Sequence, residues 1–168
     1  GDDEAQFIYE GVKLSGAISA TSLIMDIGGG STEFILCDED KLIWKKSYNI
    51  GAARLMQKFF KSDPLNTIDK NLIFEHLANE LKELQLICNE HQPQTLIGSA
   101  GAFETFTAMI YPDLNIDIIS VTELPLSAYK KLAIEIINSS HEERTQMKNL
   151  IPLRVDMIVM AALQTNYI

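Results

Sequence analysis

The residues best equipped for chemistry run from Asp26 to Glu33: Asp-Ile-Gly-Gly-Gly-Ser-Thr-Glu. Gly28, Gly29 and Gly30 in succession remove every Cβ from a turn and permit positive φ. Consecutive backbone N–H groups can then face one concavity and hold phosphate oxygens. Ser31 and Thr32 add hydroxyl donors. Asp26 sits in the apolar run Leu23-Ile24-Met25-Asp26-Ile27, and a carboxylate on a buried strand is costly unless its charge is balanced. Mg²⁺, held directly or through its water shell, is the natural balance beside a phosphate. Glu33 opens the returning segment and can face the same space. Residues 28–32 are therefore candidates for binding phosphate, and Asp26 and Glu33 for holding the metal. The plainer alternative is a glycine-rich hairpin with Asp26 capping its own turn, although hairpins usually manage with one or two glycines. No Gly-Lys-Ser/Thr follows, so this is not a Walker A loop, and no Gly-x-Gly-x-x-Gly opens a helix here.

A second turn, Gly98-Ser99-Ala100-Gly101, follows an apolar stretch and precedes a helical pattern. Helix N-termini attract anions, so Gly98 and Ser99 are further phosphate-binding candidates. Close packing of helix on strand accounts for the glycines equally well. Arg54, near the start of a helix where a cation is mildly disfavoured, is a candidate phosphate contact. Arg154 with Asp156 reads as a structural ion pair. Cys37 and Cys88 are far apart in apolar patterns, and His76, His91 and His141 have no ligand at a useful offset.

The surrounding chain sets limits. A length of 168 residues suits one compact domain. The net charge of −9, with no basic run, argues against DNA as a partner. A polyanionic ligand would have to be held by a local device rather than drawn in by the overall field. No apolar run approaches the ~18 residues of a membrane span, and no signal peptide is visible, so a cytoplasmic protein is expected. The chain starts at Gly1 rather than methionine and is expected to be a piece of a longer protein.

The elements that must position these residues follow from periodicity. Residues 3–13 fit a short helix with Phe7, Ile8 and Val12 on one side. Residues 23–27 fit a strand covered on both faces. Glu33 to Cys37 and Lys41 to Ile50 complete an antiparallel meander around the turn Asp38-Glu39-Asp40. A helix from Gly51 carries Leu55, Met56, Phe59 and Phe60. Residues 68–90 fit the longest helix, with Leu72, Ile73, Leu77, Leu81, Leu84 and Cys88 as its stripe. Thr95 to Gly98 is a fourth strand and Ile116 to Val121 a fifth, at the sheet edge. Helices follow, with a capping box at Ser140 and Glu143 and Pro152 in the first turn of the last, where Leu153, Met157, Met160 and Leu163 can pack. A meander followed by alternating helices and parallel strands gives an α/β fold, a five-stranded mixed sheet with helices packed on it. That is the ribonuclease-H-like half of the actin-type fold.

The Asp26–Glu33 segment resembles the second phosphate motif of the actin, sugar-kinase and heat-shock-chaperone superfamily. Its Ser-Thr-Glu ending is most similar to the exopolyphosphatase / guanosine-pentaphosphate phosphohydrolase (Ppx/GppA) branch, since filament and chaperone members more often end in Thr-Thr-Asp. Asp3-Glu4-Ala5-Gln6 resembles that branch's Glu-Glu-Ala-Arg helix, Gly51-Ala52-Ala53-Arg54-Leu55 its Gly-x-x-Arg-Leu stretch, and Arg154-Val155-Asp156 its Arg-x-Asp. The resemblance implies the second domain of a two-domain phosphatase, residues 1–168, whose first domain carries its own phosphate loop. It implies release of terminal phosphate from inorganic polyphosphate or guanosine pentaphosphate with Mg²⁺, with Glu4 as the catalytic carboxylate and Asp26 and Glu33 as the motif's acidic pair. Gln6 stands where the family commonly has Arg, and Asp3 where it commonly has Glu. A homodimer is left open. A nucleotide-binding kinase or ATPase-like domain, or a non-catalytic sensor of a phosphorylated ligand, are the alternative readings.

Overall fold

The two apolar runs that flank the glycine turn form the centre of the sheet. The computed structural model describes residues 2–115 and 118–168. Ser22–Ile27 (β1) and Thr32–Cys37 (β2) pair antiparallel, and β2 is buried along its whole length. Leu42–Tyr48 (β3) continues the meander on the far side of β2. Thr95–Ser99 (β4) joins β1 in parallel, giving the order β3-β2-β1-β4.

Strand alternation divides the core in two. Leu23, Met25, Ile27 and Phe34 face the larger core. It is completed by Ala52–Phe59 (α2), Thr67–Glu80 (α3), Lys82–His91 (α4), Gly101–Ile110 (α5), Leu126–Asn138 (α6) and Met157–Tyr167 (α8). Ile24, Ile35 and Cys37 face the other way, against Ala5 and Tyr9 of Asp2–Ser15 (α1). Helix α8 is buried continuously from Ile158 to Thr165, so it is the central helix of its layer. His141–Thr145 (α7) begins with the expected capping box: Glu143 N–H donates to Ser140 Oγ, and Ser140 N–H donates to the Glu143 carboxylate at 2.7 Å.

Three expectations change. The long helix over 68–90 is two helices meeting at Leu81, whose ψ is 17°. Leu81 N–H still bonds Leu77 O and Gln85 N–H bonds Leu81 O, so the hydrogen-bond ladder continues and periodicity carries no trace of the bend. Leu72 lies outside the buried stripe, 46% exposed. The sheet has four strands among the described residues rather than five. Residues 116 and 117 lie outside the described residues, and 118–121 are not strand. Ile118 is 78% exposed there, so its β-branched side chain packs on no sheet face. At the end of the chain Pro152 opens a separate 3₁₀ turn, Pro152–Arg154, rather than α8, and Leu153 is turned outward.

The N-terminus of α2 lies directly against the glycine turn. A Cβ on Gly51 would sit 2.5 Å from Gly30 C and Ser31 N, and backbone at that distance cannot yield without shifting the turn. Gly51→Ala is expected to destabilise the fold by roughly 1–3 kcal/mol, the usual cost of overpacking. Urea unfolding at neutral pH measures it.

Candidate functional site

The glycine turn is held from behind, through its carbonyls. Ala52 N–H donates to Gly28 O at 2.9 Å, Arg54 N–H to Gly29 O at 3.1 Å and Gly51 N–H to Gly30 O at 3.3 Å. Arg54 Nε adds a bond to Gly30 O at 2.9 Å. These donors are the amides at the start of α2, which lack intrahelical acceptors. In a trans peptide the N–H points opposite to the preceding C=O. Turning the carbonyls of Gly28, Gly29 and Gly30 toward α2 therefore turns the N–H groups of Gly29, Gly30 and Ser31 away from it. Among the described residues none of these three has an intramolecular acceptor. Successive outward amides of this kind form an anion-binding concavity.

The glycines serve this arrangement differently from the sequence expectation. None of the three has a left-handed φ; Gly16 is the glycine that does. A Cβ on Gly30 would meet nothing within 4 Å. At Gly30 the bare backbone is thus not a packing requirement and leaves the approach to the amides open, whereas a Cβ on Gly28 would press on Ser31 O at 3.1 Å.

Strand register builds the second half of the site. Asp26 is paired with Glu33 on one side and with Ser99 on the other, and Glu33 with Ser47 beyond. Ser47, Glu33, Asp26 and Ser99 therefore form one row across all four strands, on the face that carries α1. Glu33 is 2% exposed and accepts a hydrogen bond from Ser47 Oγ at 2.6 Å. Burial pushes the Asp26 carboxyl up to about 6, and repulsion from Glu33, Glu4 and Glu104 adds to the rise, while the Ser99 hydroxyl favours the charged form. Glu4, in the first turn of α1, thus shares an electrostatic neighbourhood with Asp26. Glu104, in the first turn of α5, belongs to the same neighbourhood. Nothing in the sequence singled it out, because it becomes a neighbour of Asp26 only once β4 pairs with β1.

The remaining candidates separate. Thr32 neighbours Glu33 in β2, so its side chain lies on the opposite face. It is buried and donates to Gln164 Oε1 of α8 at 2.8 Å, so it is an internal tie and not the phosphate donor expected. Ser31 stays at the turn. Arg54 is exposed and braces Gly30 from behind. The Phe103 ring occupies the space a Cβ on Gly98 would need, so Gly98 serves the packing of α5 on β4. Ser99 reaches the site through its hydroxyl beside Asp26.

Arg154 does not pair with Asp156. It donates to Gly101 O and, at 2.6 Å, to Thr105 Oγ1, with Glu104 at 3.9 Å. Its guanidinium fills the place of a Cβ on Gly101, which explains that glycine. Arg154 also lines a cavity of about 290 Å³ with Ile27, Gly28, Gly29, Ala52 and Met157. A larger groove of about 570 Å³, lined by Glu135, Ser139 and Gln146, includes none of these residues. Among the described residues no group of three or more His, Cys, Asp or Glu is gathered in metal-binding geometry.

At the ends of β1 and β2 in the mixed sheet, an outward row of amides thus lies beside a carboxylate pair of which Glu33 is buried and Asp26 half-buried. Residues 1–165 match the Ppx/GppA phosphatase family, and the chain belongs to that family. An exopolyphosphatase from Cytophaga hutchinsonii superposes with a TM-score of 0.94 at 31% identity, over 99% of this chain and 55% of that one. The Aquifex aeolicus Ppx/GppA family member gives 0.84 at 25% identity, over 98% of this chain and 53% of that one. Exopolyphosphatase 2 of Mycobacterium tuberculosis is 27% identical over 94% of this chain and 50% of its own length. A bifunctional 3-dehydroquinate synthase/phosphatase of Fusobacterium nucleatum is 31% identical over 95% of this chain and 24% of its own. The chain thus spans half or less of the length of these two curated relatives.

Asp26 fixes a pH dependence. Its folded pKa lies above the ordinary value of 3.8, so the folded state holds a proton that the unfolded state has released. Its contribution to stability is largest at low pH and declines as pH rises through the window from about 4 to about 6. Without divalent cations, Asp26→Asn is expected to melt higher than the wild type at pH 8, with the difference fading toward pH 4. Thermal melts across that range check it.

Proposed function

We propose that the chain is the second domain of a two-domain phosphatase that releases the terminal phosphate of inorganic polyphosphate or guanosine pentaphosphate. The observation that carries this is the juxtaposition at one end of the sheet: three outward amides, at Gly29, Gly30 and Ser31, beside the Asp26–Glu33 pair. Phosphoanhydride hydrolysis needs donors for the phosphoryl oxygens, a carboxylate for the water and a cation for the charge. The amides serve the first need. Glu4, within the electrostatic reach of Asp26, serves the second by orienting and deprotonating the attacking water.

Asp26 and Glu33 fit Mg²⁺ as its protein ligands. Burial and the neighbouring Glu33 both disfavour charge on Asp26, and a cation beside the two carboxylates would offset that. When bound, the ion would offset charge on the phosphoryl oxygens. Ser47 and Ser99 hold the carboxylates in place. Arg154, on the cavity wall beside Gly28 and Gly29, supplies the cation for the non-reacting phosphates. Gln6, where the family commonly has Arg, is engaged along its own helix, donating to Glu10 at 2.9 Å.

The acidic chain contributes one wall of the site; the family's first domain, with its own phosphate loop, would supply the other. This chain alone is expected to fold and to hydrolyse little. The full-length protein with Mg²⁺ is expected to release orthophosphate from at least one of the two substrates, assayed side by side. Glu4→Gln should lower turnover about 10²- to 10⁴-fold, the usual contribution of a general base, with the melting temperature unchanged. Turnover insensitive to that substitution would remove Glu4 from the mechanism.

A further inference from the structure

A second arginine, remote from the glycine turn, is built into the wall that carries Arg154. Arg144 is 1% exposed, the largest fully buried side chain among the described residues. Four hydrogen bonds tie its guanidinium. Nε donates to Val155 O at 2.8 Å, and Nη1 to Ser139 O. Nη2 donates to Asp63 Oδ1 at 3.0 Å and to Asp156 Oδ1 at 3.2 Å. The group also lies over the Phe60 ring, 5.8 Å from its centre. Asp63 and Asp156 are held in turn by His141, through its N–H at 2.6 Å and its Nδ1 at 2.7 Å.

Stability alone does not account for this cluster. Burying a guanidinium against carboxylates that stay partly exposed gains little over well-packed apolar residues, because its desolvation offsets the attraction. What the planar fork of donors supplies is geometry. Arg144 grips the backbone of Val155 and the side chain of Asp156 together. It also anchors them to the end of α6 at Ser139 and to the segment after α2 at Phe60 and Asp63. The residue immediately before this grip is Arg154. With 155 and 156 fixed, Arg154 leaves the backbone in one direction, toward Gly101 O and Thr105 Oγ1, and reaches the cavity beside Gly28 and Gly29. Arg144 itself is not among the residues lining that cavity.

We propose that Arg144 is a positioning residue for the phosphate site: clamping residues 155–156, it holds the Arg154 guanidinium at the wall of the glycine-turn cavity. This rests on the reading of Arg154 as a phosphate contact. Lysine at 144 keeps the charge but lacks the fork, so it cannot hold Val155 O and Asp156 with the same geometry.

The test compares Arg144→Lys, Arg154→Ala and the double variant of this chain. Backbone amide NMR spectra are recorded without ligand, and tripolyphosphate affinity is measured by calorimetry. Arg144→Lys is expected to keep a cooperative melt while moving the Gly101 and Thr105 amide signals toward their positions in Arg154→Ala. Each single variant should weaken tripolyphosphate binding roughly ten-fold, and the double no more than the weaker single, because both act through one contact. Gly101 and Thr105 signals unmoved by Arg144→Lys, or losses that multiply in the double variant, would overturn the proposal. If Arg144→Lys fails to fold, Asp156→Asn removes one arm of the clamp and should shift the same two signals in the same direction; unmoved signals there count equally against the clamp. A wild-type chain that ignores tripolyphosphate would refute the phosphate reading of Arg154, while the ligand-free spectra still decide whether Arg144 positions it.

Discussion

The contact on which the site depends is the one between the first turn of α2 and the carbonyls of Gly28, Gly29 and Gly30. A helix begins with amides that have no acceptor, and a tight turn leaves carbonyls that have no donor. Each satisfies the other here, and the planarity of the peptide does the rest. Once the carbonyls face α2, the amides of residues 29–31 must face outward. Gly51 belongs to the same contact, because no side chain fits where α2 meets the turn. The two glycine segments, 21 positions apart at their nearer ends, are thus two sides of one interface.

The carboxylates are placed by an independent constraint, the register of the sheet. Four strands put Ser47, Glu33, Asp26 and Ser99 in a single row. Burial first, and repulsion from Glu33 second, raise the Asp26 pKa. The Ser99 hydroxyl offsets part of that rise. The amide turn and the acid row therefore meet at one end of the sheet for different reasons: one for helix capping, the other for strand pairing. Their conjunction is what a phosphoanhydride and a cation require together.

Much of this was legible in the residues. The apolar run before Asp26 predicts a buried central strand, and a carboxylate there predicts an unusual environment; both are present. The meander, the parallel β4 and the capping box of α7 follow from the pattern. Thr32 was misread because it is adjacent to Ser31 in a motif, whereas strand alternation turns it to the opposite face, toward Gln164. Of the two roles the sequence left open for Gly98, the fold displays packing, with the Phe103 ring where a Cβ would be; a glycine seating a ring and one seating a phosphate look alike in one dimension. Arg154 lies two residues from Asp156, close enough to suggest a pair, yet the fold gives Asp156 to Arg144 and His141. Glu104 and Arg144 gave no signal, because their partners are distant in the chain. Ile118, Ile119 and Val121 have strand composition without a sheet face to cover them.

Among the described residues no helix is long and apolar enough to cross a membrane, and the acidic surface offers a polyanion nothing beyond the local devices of the turn. The central claim is that the outward amides of the glycine turn receive phosphate. The most direct measurement is an amide NMR titration of this chain with tripolyphosphate in the presence of Mg²⁺. The account predicts saturable downfield shifts of the Gly29, Gly30 and Ser31 amide protons, larger than those of any other backbone amide. Saturable binding that leaves these three signals in place would contradict it.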